Sequence, residues 1–400
     1  MRAESARSSA SGLDWFVFFL ADIQTGFGPF VAVYLTSQAW TQGDIGLILS
    51  AGGVVALAGQ LPAGALVDMA RSARLMAGIA VVGIGLSALA IALWPIFAIV
   101  LLARVLHAGA SCVLGPAVAA ISLGLVGHGG LGERLGRNAR FASIGNGIAA
   151  AAMGLCGHFV TSQAVFFFTA SLALPALLAL SQIRTLDTAR IAAGTHTPAR
   201  PNGTATWRCL LRDRRLLVFS CGILLFQLAN AATLPLMGGI LTVGLGDKAA
   251  MVIAAAVVVP QLVVVAMSPW VGRQSEHWGR RPLLLLCFAA LAIRCALFAL
   301  VTNPYLVVAV QMLDGISAAV LAVMFPLVVA DITRDTGRFS LALGIVGSAV
   351  GIGAALSTTL AGLMYDYWGA AVTFLSLSGI AILGLALVWL LMAETRPENE

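Results

Sequence analysis

The sequence predicts an all-α membrane protein with twelve transmembrane helices, and three observations carry that prediction. Of the 400 residues only 10% are charged, against about a quarter in soluble domains. Hydrophobic residues make up 60% of the chain and the mean hydropathy is +0.97. The apolar residues also lie in long runs, whereas an outer-membrane barrel alternates apolar and polar positions. A membrane helix needs ~20 apolar residues, so the composition has room for about a dozen. A soluble enzyme with one anchor is excluded, and so is a disordered chain.

Intervals free of charge place the spans at about 13–36, 45–67, 75–94, 96–123, 139–160, 163–183, 216–243, 248–271, 282–301, 304–330, 339–364 and 370–393. The first is too long for the apolar region of a signal peptide, carries Asp22 and is followed by further spans, so it reads as a helix that stays. The fourth carries Arg104 and His107, the ninth Arg294 and the tenth Asp314. The seventh and eighth contain Pro235 and Pro260, which permit bends within a membrane helix. Glycines in the fifth (Gly145, Gly147, Gly154, Gly157) and eleventh (Gly344, Gly347, Gly351, Gly353) suit close helix packing.

Orientation follows from the basic residues. Of 23 Lys and Arg, all but one are arginine, and Lys248 is the only lysine. Twenty fall in one alternating set of connections, the opposite set holds Lys248 alone, and Arg104 and Arg294 lie within spans. The positive-inside rule then places both chain ends in the cytoplasm, and the cytoplasmic (inner) membrane is the expected location. The net charge of +6 is scattered over short loops, which fits a membrane surface and not nucleic acid. The one long polar connection, 184–215, holds seven arginines with Pro198, Pro201, Gly194 and Gly203. It reads as a cytoplasmic linker dividing an N-terminal six-helix bundle at 1–183 from a C-terminal one at 216–400.

The two halves repeat each other. Gly64 and Asp68 after span two correspond, at an offset of 208, to Gly272 and Glu276 after span eight. The same offset carries Leu20-Ala21-Asp22 onto Leu228-Ala229-Asn230. Arg104 and His107 correspond to Gln311 and Asp314 at 207, and Arg140-Phe141 is echoed by Arg338-Phe339.

These residues resemble the major facilitator superfamily. Its signature loop, G-x-x-x-[DE]-x-x-G-R-[RK], is matched by Gly272, Glu276, Gly279, Arg280 and Arg281. The first copy keeps Gly64 and Asp68 but has Arg71 and Ser72 at the next two positions. Arg104-x-x-His107 is similar to the family's fourth-helix motif, with Ala108 where Gly is usual. The resemblance implies two pseudo-symmetric six-helix bundles that exchange substrate by alternating access. It also implies that Asp68 caps the eleventh helix, where the dipole favours a carboxylate, as part of a conformational latch made by the two signature loops.

Ionisable groups inside a membrane are expensive and are functional candidates by default. Asp22, ~14 Å into its span, Arg104, ~12 Å into its own, His107 one turn away and Asp314 are the candidates for proton coupling. All four lie on helices that line the cavity in the family. A carboxylate in low-dielectric surroundings holds its proton more tightly, while a nearby Arg favours release, and His titrates near neutrality. The competing reading is a static Asp–Arg pair that stabilises the N-terminal half. Arg294 is expected to be structural or snorkelling, because its helix is peripheral in the family. The polar residues Gln24, Thr25, Asn146, Gln227, Asn230, Gln261 and Gln311 are candidates for lining a substrate cavity, or for holding helices together.

Gly127-His128-Gly129-Gly130-Leu131-Gly132 satisfies G-x-G-x-x-G, but no strand precedes it, so a dinucleotide cofactor is not expected. The six cysteines show no paired or metal-ligand spacing. No metal, cofactor or enzymatic constellation is expected. Drug–proton antiporters of the family carry a Gly-Pro pair in span five, and no proline lies between 139 and 160. The expectation is a monomeric secondary active transporter of a small organic solute, proton-coupled and exporting in preference to importing. An importer, a uniporter, or a non-transporting receptor or scramblase on the same scaffold is the alternative.

Overall fold

A computed structural model of the chain describes residues 2–25, 29–183, 210, 212–245, 249–301, 303–334 and 336–396. The linker expected at 184–215 lies mostly outside these residues. The chain divides into two compact units, one of Met1–Arg200 with Gly337–Gly344 and the other of Pro201–Thr336 with Ile345–Glu400.

Unit 1 is built from α1 (Arg2–Thr25), α2 (Pro29–Ser37), α3 (Gln42–Met69), α4 (Ala73–Leu93), α5 (Phe97–Val126), α6 (Leu131–Phe159), α7 (Ala164–Ser171) and α8 (Ala173–Gln182). Local chemistry sets several of these starts. Thr41 Oγ1 accepts from the Asp44 backbone N–H at 3.1 Å to open α3, and Ser72 Oγ accepts from Leu75 N–H at 3.3 Å to open α4. Gly127, at φ +67°, ends α5, so the glycine-rich run there is a helix–helix turn. Buried side chains including Leu13, Phe16, Tyr34, Ile84 and Phe166 form the core of the unit.

Unit 2 contains α9 (Arg214–Asn230), α10 (Thr233–Leu245), α11 (Ala249–Trp278), α12 (Arg280–Leu300), α13 (Pro304–Ile332) and α14 (Phe339–Leu391), whose first residues belong to unit 1. Asp213 and Asn303 cap α9 and α13 by accepting from Arg215 N–H at 2.8 Å and Tyr305 N–H at 2.9 Å. The helical run of α14 is interrupted at Gly369, with φ 77° and ψ 177°, between the expected eleventh and twelfth spans. Phe226 and Phe288 meet edge to face at 5.6 Å between centroids, and Gly384 leaves the room that the Phe288 ring occupies.

Among the described residues, nine helical stretches are long and apolar enough to cross a membrane. Pairing α1 with α2, α7 with α8 and α9 with α10, and dividing α14 at Gly369, is consistent with twelve spans. Two helices start earlier than their charge-free intervals. α1 begins at Arg2 and α6 at Leu131, because a charge-free interval marks the apolar part of a helix and not its backbone hydrogen bonds. In the α6 extension, Arg134 and Arg137 find a partner, as shown below.

The repeat is also visible in the packing. A Cβ on Gly145 of α6 would lie 2.5 Å from the Phe18 carbonyl oxygen of α1. In unit 2, a Cβ on Gly353 of α14 would lie 2.5 Å from the Leu224 carbonyl oxygen of α9. The two glycines are separated by the same 208 residues as the signature loops, so each unit uses a bare Cα to bring its fifth helix onto its first.

Candidate functional site

Within unit 1, Asp22 is 3% exposed on α1 and its Oδ1 has no hydrogen-bond partner among the described residues. Gly145 approaches it closely: a Cβ there would stand 3.1 Å from Asp22 Oδ1. On α5, Arg104 Nη1 lies 3.4 Å from His107 Nδ1, and Ser111 Oγ lies 3.4 Å from His107 Nε2. The spacing i, i+3, i+7 puts the three on one face of the helix. A guanidinium only donates, so Nδ1 accepts from it and the proton of that tautomer sits on Nε2, toward Ser111. Gly52 of α3 leaves the space that the Arg104 side chain fills; a Cβ there would lie 3.1 Å from Nε.

About two turns earlier on α1, Asp14 is 2% exposed and is gripped by two arginines of α6. Arg134 Nη2 bonds Asp14 Oδ1, while Arg137 Nη2 lies 2.6 Å from Oδ2. Arg134 Nε also donates to Asn138 Oδ1 at 2.9 Å, and Asn138 Nδ2 donates to Ser122 Oγ at 2.8 Å. Two arginines counted as loop charges from the sequence therefore hold a buried carboxylate, Arg134 from within the core and Arg137 from the exposed side.

Asp68 closes the first signature loop. Its Oδ1 accepts from Ser340 N–H at 2.9 Å and its Oδ2 from Leu341 N–H at 2.8 Å. Both donors are orphan amides in the first turn of α14, where the dipole favours a carboxylate. Gly64, one turn earlier on α3, meets the Ser340 carbonyl with a bare Cα, and a side chain there would collide with backbone.

Unit 2 holds a second buried charge cluster. Arg294 of α12 is 1% exposed; its Nη1 pairs with Asp314 Oδ1, and its Nη2 donates to Asn230 Oδ1 and, at 2.8 Å, to Thr233 Oγ1. Of the two roles expected for Arg294, structural or snorkelling, the geometry is that of the structural one: the side chain turns inward, because α9, α10 and α13 each present it an oxygen. Gln311 of α13 is 1% exposed, with Oε1 lacking a partner. Gln227 and Gln261 are part-buried, Gln24 is exposed, and the Thr25 side chain lies outside the described residues. Asn146 is part-buried on α6 beside Gly145.

In the second signature loop the roles differ from the first. Glu276 Oε2 lies 3.4 Å from Arg280 Nη1, four residues away, and the carboxylate that caps α12 is Glu394. Glu394 accepts from Arg280 N–H at 2.8 Å and from Arg281 N–H at 3.1 Å. Arg280 Nε donates to Asp331 Oδ2 at 2.8 Å, Arg281 Nη2 bonds the Trp389 carbonyl, and Ser275 Oγ donates to the Gly272 carbonyl at 2.7 Å. Gly279 has φ +87°, and its missing Cβ would lie 2.5 Å from Glu394 Oε2. Only glycine satisfies both the backbone and the carboxylate at that position. Sequence reading missed Asp14, Asp331 and Glu394; the available signal was an acid at the end of a span opposite an arginine-rich loop.

Two helical units with signature loops of this form and sparse charge in their helices define a membrane carrier. Residues 15–266 and 220–400 match the Major Facilitator Superfamily. The chain is 38% identical over 395 residues to a protein of Mycobacterium tuberculosis named as an uncharacterized MFS-type transporter, covering 96% of this chain and 93% of that one. Its fold is similar to that of the human organic anion transporter MFSD10 (TETRAN), at a TM-score of 0.74 and 16% identity over 96% and 99% of the two chains. It is also similar to the proton:xylose symporter XylE, at a TM-score of 0.71 and 15% identity over 98% and 96%. The chain belongs to the major facilitator superfamily. It is a multi-pass membrane transporter.

Proposed function

We propose that this protein is a proton-coupled secondary transporter that moves a small organic solute across the cytoplasmic membrane by alternating access, exporting in preference to importing. The observation that carries the coupling is Asp22, a carboxylate 3% exposed in a membrane helix with one oxygen lacking a hydrogen-bond partner. Such a group is stable in hydrocarbon when it holds a proton and costly when it does not. Gain and loss of that proton therefore changes which conformation is favoured, and the solute and the proton bias the same equilibrium. Arg104, from which His107 accepts on α5, supplies the cationic side of the site, and Asn146 supplies an amide for the solute. Asp314, held by Arg294 in unit 2, is a second ionisable centre, flanked by Asn230 and the buried Gln311.

Asp68 and Gly64 are assigned to a conformational latch, with Gly272, Glu276, Gly279, Arg280 and Arg281 as the second loop's members. Both chain ends lie in the cytoplasm on this reading, and the protein acts as a monomer. The named solutes of the solved neighbours, an organic anion and xylose, are small and organic, in keeping with the class proposed.

A thermal-shift screen of the purified protein against diverse metabolites and drugs at two pH values tests this. A solute that binds the folded state stabilises it by RT ln(1 + [L]/Kd). The expected result is a ligand whose stabilisation depends on pH in the wild type and does not in Asp22→Asn. A ligand equally stabilising at both pH values in both proteins would point to a uniporter.

A further inference from the structure

In unit 1, α4 and α8 border a cleft of about 590 Å³ that the transport reading leaves unused. Its mouth is polar: Ser72, Arg74 and Ser181 gather where α4 begins and α8 ends. Arg74 Nη1 donates to the Ile183 carbonyl at 2.6 Å. That bond neutralises the carbonyl end of α8 and fixes the guanidinium at the mouth, while a guanidinium carries five N–H donors in all. Ser72 Oγ accepts from Leu75 N–H, and its hydroxyl keeps a donor of its own. The nine lining residues include one cation and no carboxylate.

Away from the mouth the wall turns apolar. Leu75, Ile79 and Val82 run along α4, 62%, 59% and 44% exposed. From Arg74 to Val82 the helix rises ~12 Å. Opposite stand Leu177 and Leu180 of α8. Gly78 forms the floor between the two helices: a Cβ there would reach Leu180 Cδ2 at 3.5 Å and Leu177 Cδ2 at 3.9 Å.

We propose that this cleft binds an anionic phospholipid of the leaflet on the arginine-rich side, with its phosphate at Arg74 and Ser72 and an acyl chain along Leu75, Ile79 and Val82. Charge complementarity selects the occupant. A cationic mouth followed by an apolar wall matches a headgroup joined to a chain, and a soluble phosphate would leave the wall exposed. The site stands apart from Asp22 and Arg104, so it does not depend on the coupling chemistry.

Lipid binding to the delipidated, full-length protein in mild detergent tests the proposal, counted by native mass spectrometry. Phosphatidylglycerol and phosphatidylcholine of identical acyl chains are compared, with inorganic phosphate as a third probe. Phosphatidylglycerol is expected to bind about fivefold more tightly than phosphatidylcholine, the contribution of one basic residue near an anionic headgroup. Inorganic phosphate is expected to bind negligibly. Arg74→Gln should abolish the preference between the lipids, whereas Arg215→Gln, at an exposed site in the other unit, should preserve it. Gly78→Leu fills the cleft without touching the charge and should weaken both lipids; it also covers the case in which Arg74→Gln fails to fold. Equal binding of the two lipids by the wild type would overturn the proposal. So would equal losses in Arg74→Gln and Arg215→Gln, or unchanged binding in Gly78→Leu.

Discussion

Gly145 and Asp22 are in contact across the α1–α6 crossing: a Cβ on the glycine would lie 3.1 Å from Asp22 Oδ1 and 2.5 Å from the Phe18 carbonyl oxygen one turn away. The same glycine therefore closes the helices and confines the carboxylate. Gly145→Ala must push α6 away from α1 by several tenths of an ångström. Overpacking of this kind costs about 1–3 kcal/mol, and a lowered melting temperature in detergent is the expected readout. Gly147, whose Cβ would meet nothing within 4 Å, is the control, and its alanine variant should unfold near the wild-type temperature.

Arg294 and Asp314 predict a strongly non-additive pair. Arg294→Leu leaves Asp314, Asn230 and Thr233 without their shared donor, a loss of about 3–5 kcal/mol. The double variant Arg294→Leu with Asp314→Leu removes both charges and should recover part of that loss, because a buried pair replaced by apolar groups is often near neutral. A double-mutant cycle on chemical or thermal unfolding measures the coupling; additive losses would show that the pair contributes nothing as a pair.

The Asp68 cap predicts a smaller effect. Asp68→Ala frees the Ser340 and Leu341 amides at the start of α14, at a cost of about 0.5–2 kcal/mol. Asp68→Asn keeps one acceptor oxygen and should lie between alanine and wild type. Hydrogen exchange at Ser340 and Leu341 checks this locally: protection should fall in the order wild type, asparagine, alanine.

Glu394 predicts a pH dependence. Burial raises its carboxyl, but the backbone N–H groups of Arg280, Arg396, Arg281 and Thr395 outweigh burial and hold it below its ordinary value of 4.5. The ionised form is thus favoured by folding, and its contribution is fully present above 4.5 and fades as the pH falls through the lower folded value. The side chain is exposed, so the contribution is discounted for solvent screening to below about 1 kcal/mol. Wild type should exceed Glu394→Gln in melting temperature near neutral pH, with the gap closing below about pH 4.5. A gap that widened on acidification would contradict the cap.

Sequence order reveals these features unevenly. Gly64 and Asp68 were legible because a duplicated loop repeats them at Gly272 and Glu276, and the Asp68 cap follows from the dipole of the helix it meets. The same symmetry pointed to Glu276 in unit 2, where the cap of α12 is Glu394, 114 residues from the amide it accepts. No local pattern spans that distance. Asp22, Arg104 and His107 stood out because charge in an apolar run is rare. For Arg294 a structural and a snorkelling role stayed open, because hydropathy shows that a charge lies within a helix, but not which way its side chain turns. Asp14 sits at the first edge of an apolar run, where an acid looks solvated until Arg134 and Arg137 close on it.

The central claim is that Asp22 carries the coupled proton. The most direct test reconstitutes wild type and Asp22→Asn in proteoliposomes and follows solute movement with and without an imposed pH gradient, using a ligand found by thermal shift. Wild type should move solute against its concentration gradient when the pH gradient is applied. Asp22→Asn should still equilibrate solute but fail to concentrate it. Gradient-driven accumulation retained in Asp22→Asn would contradict the account and move the coupling to another group.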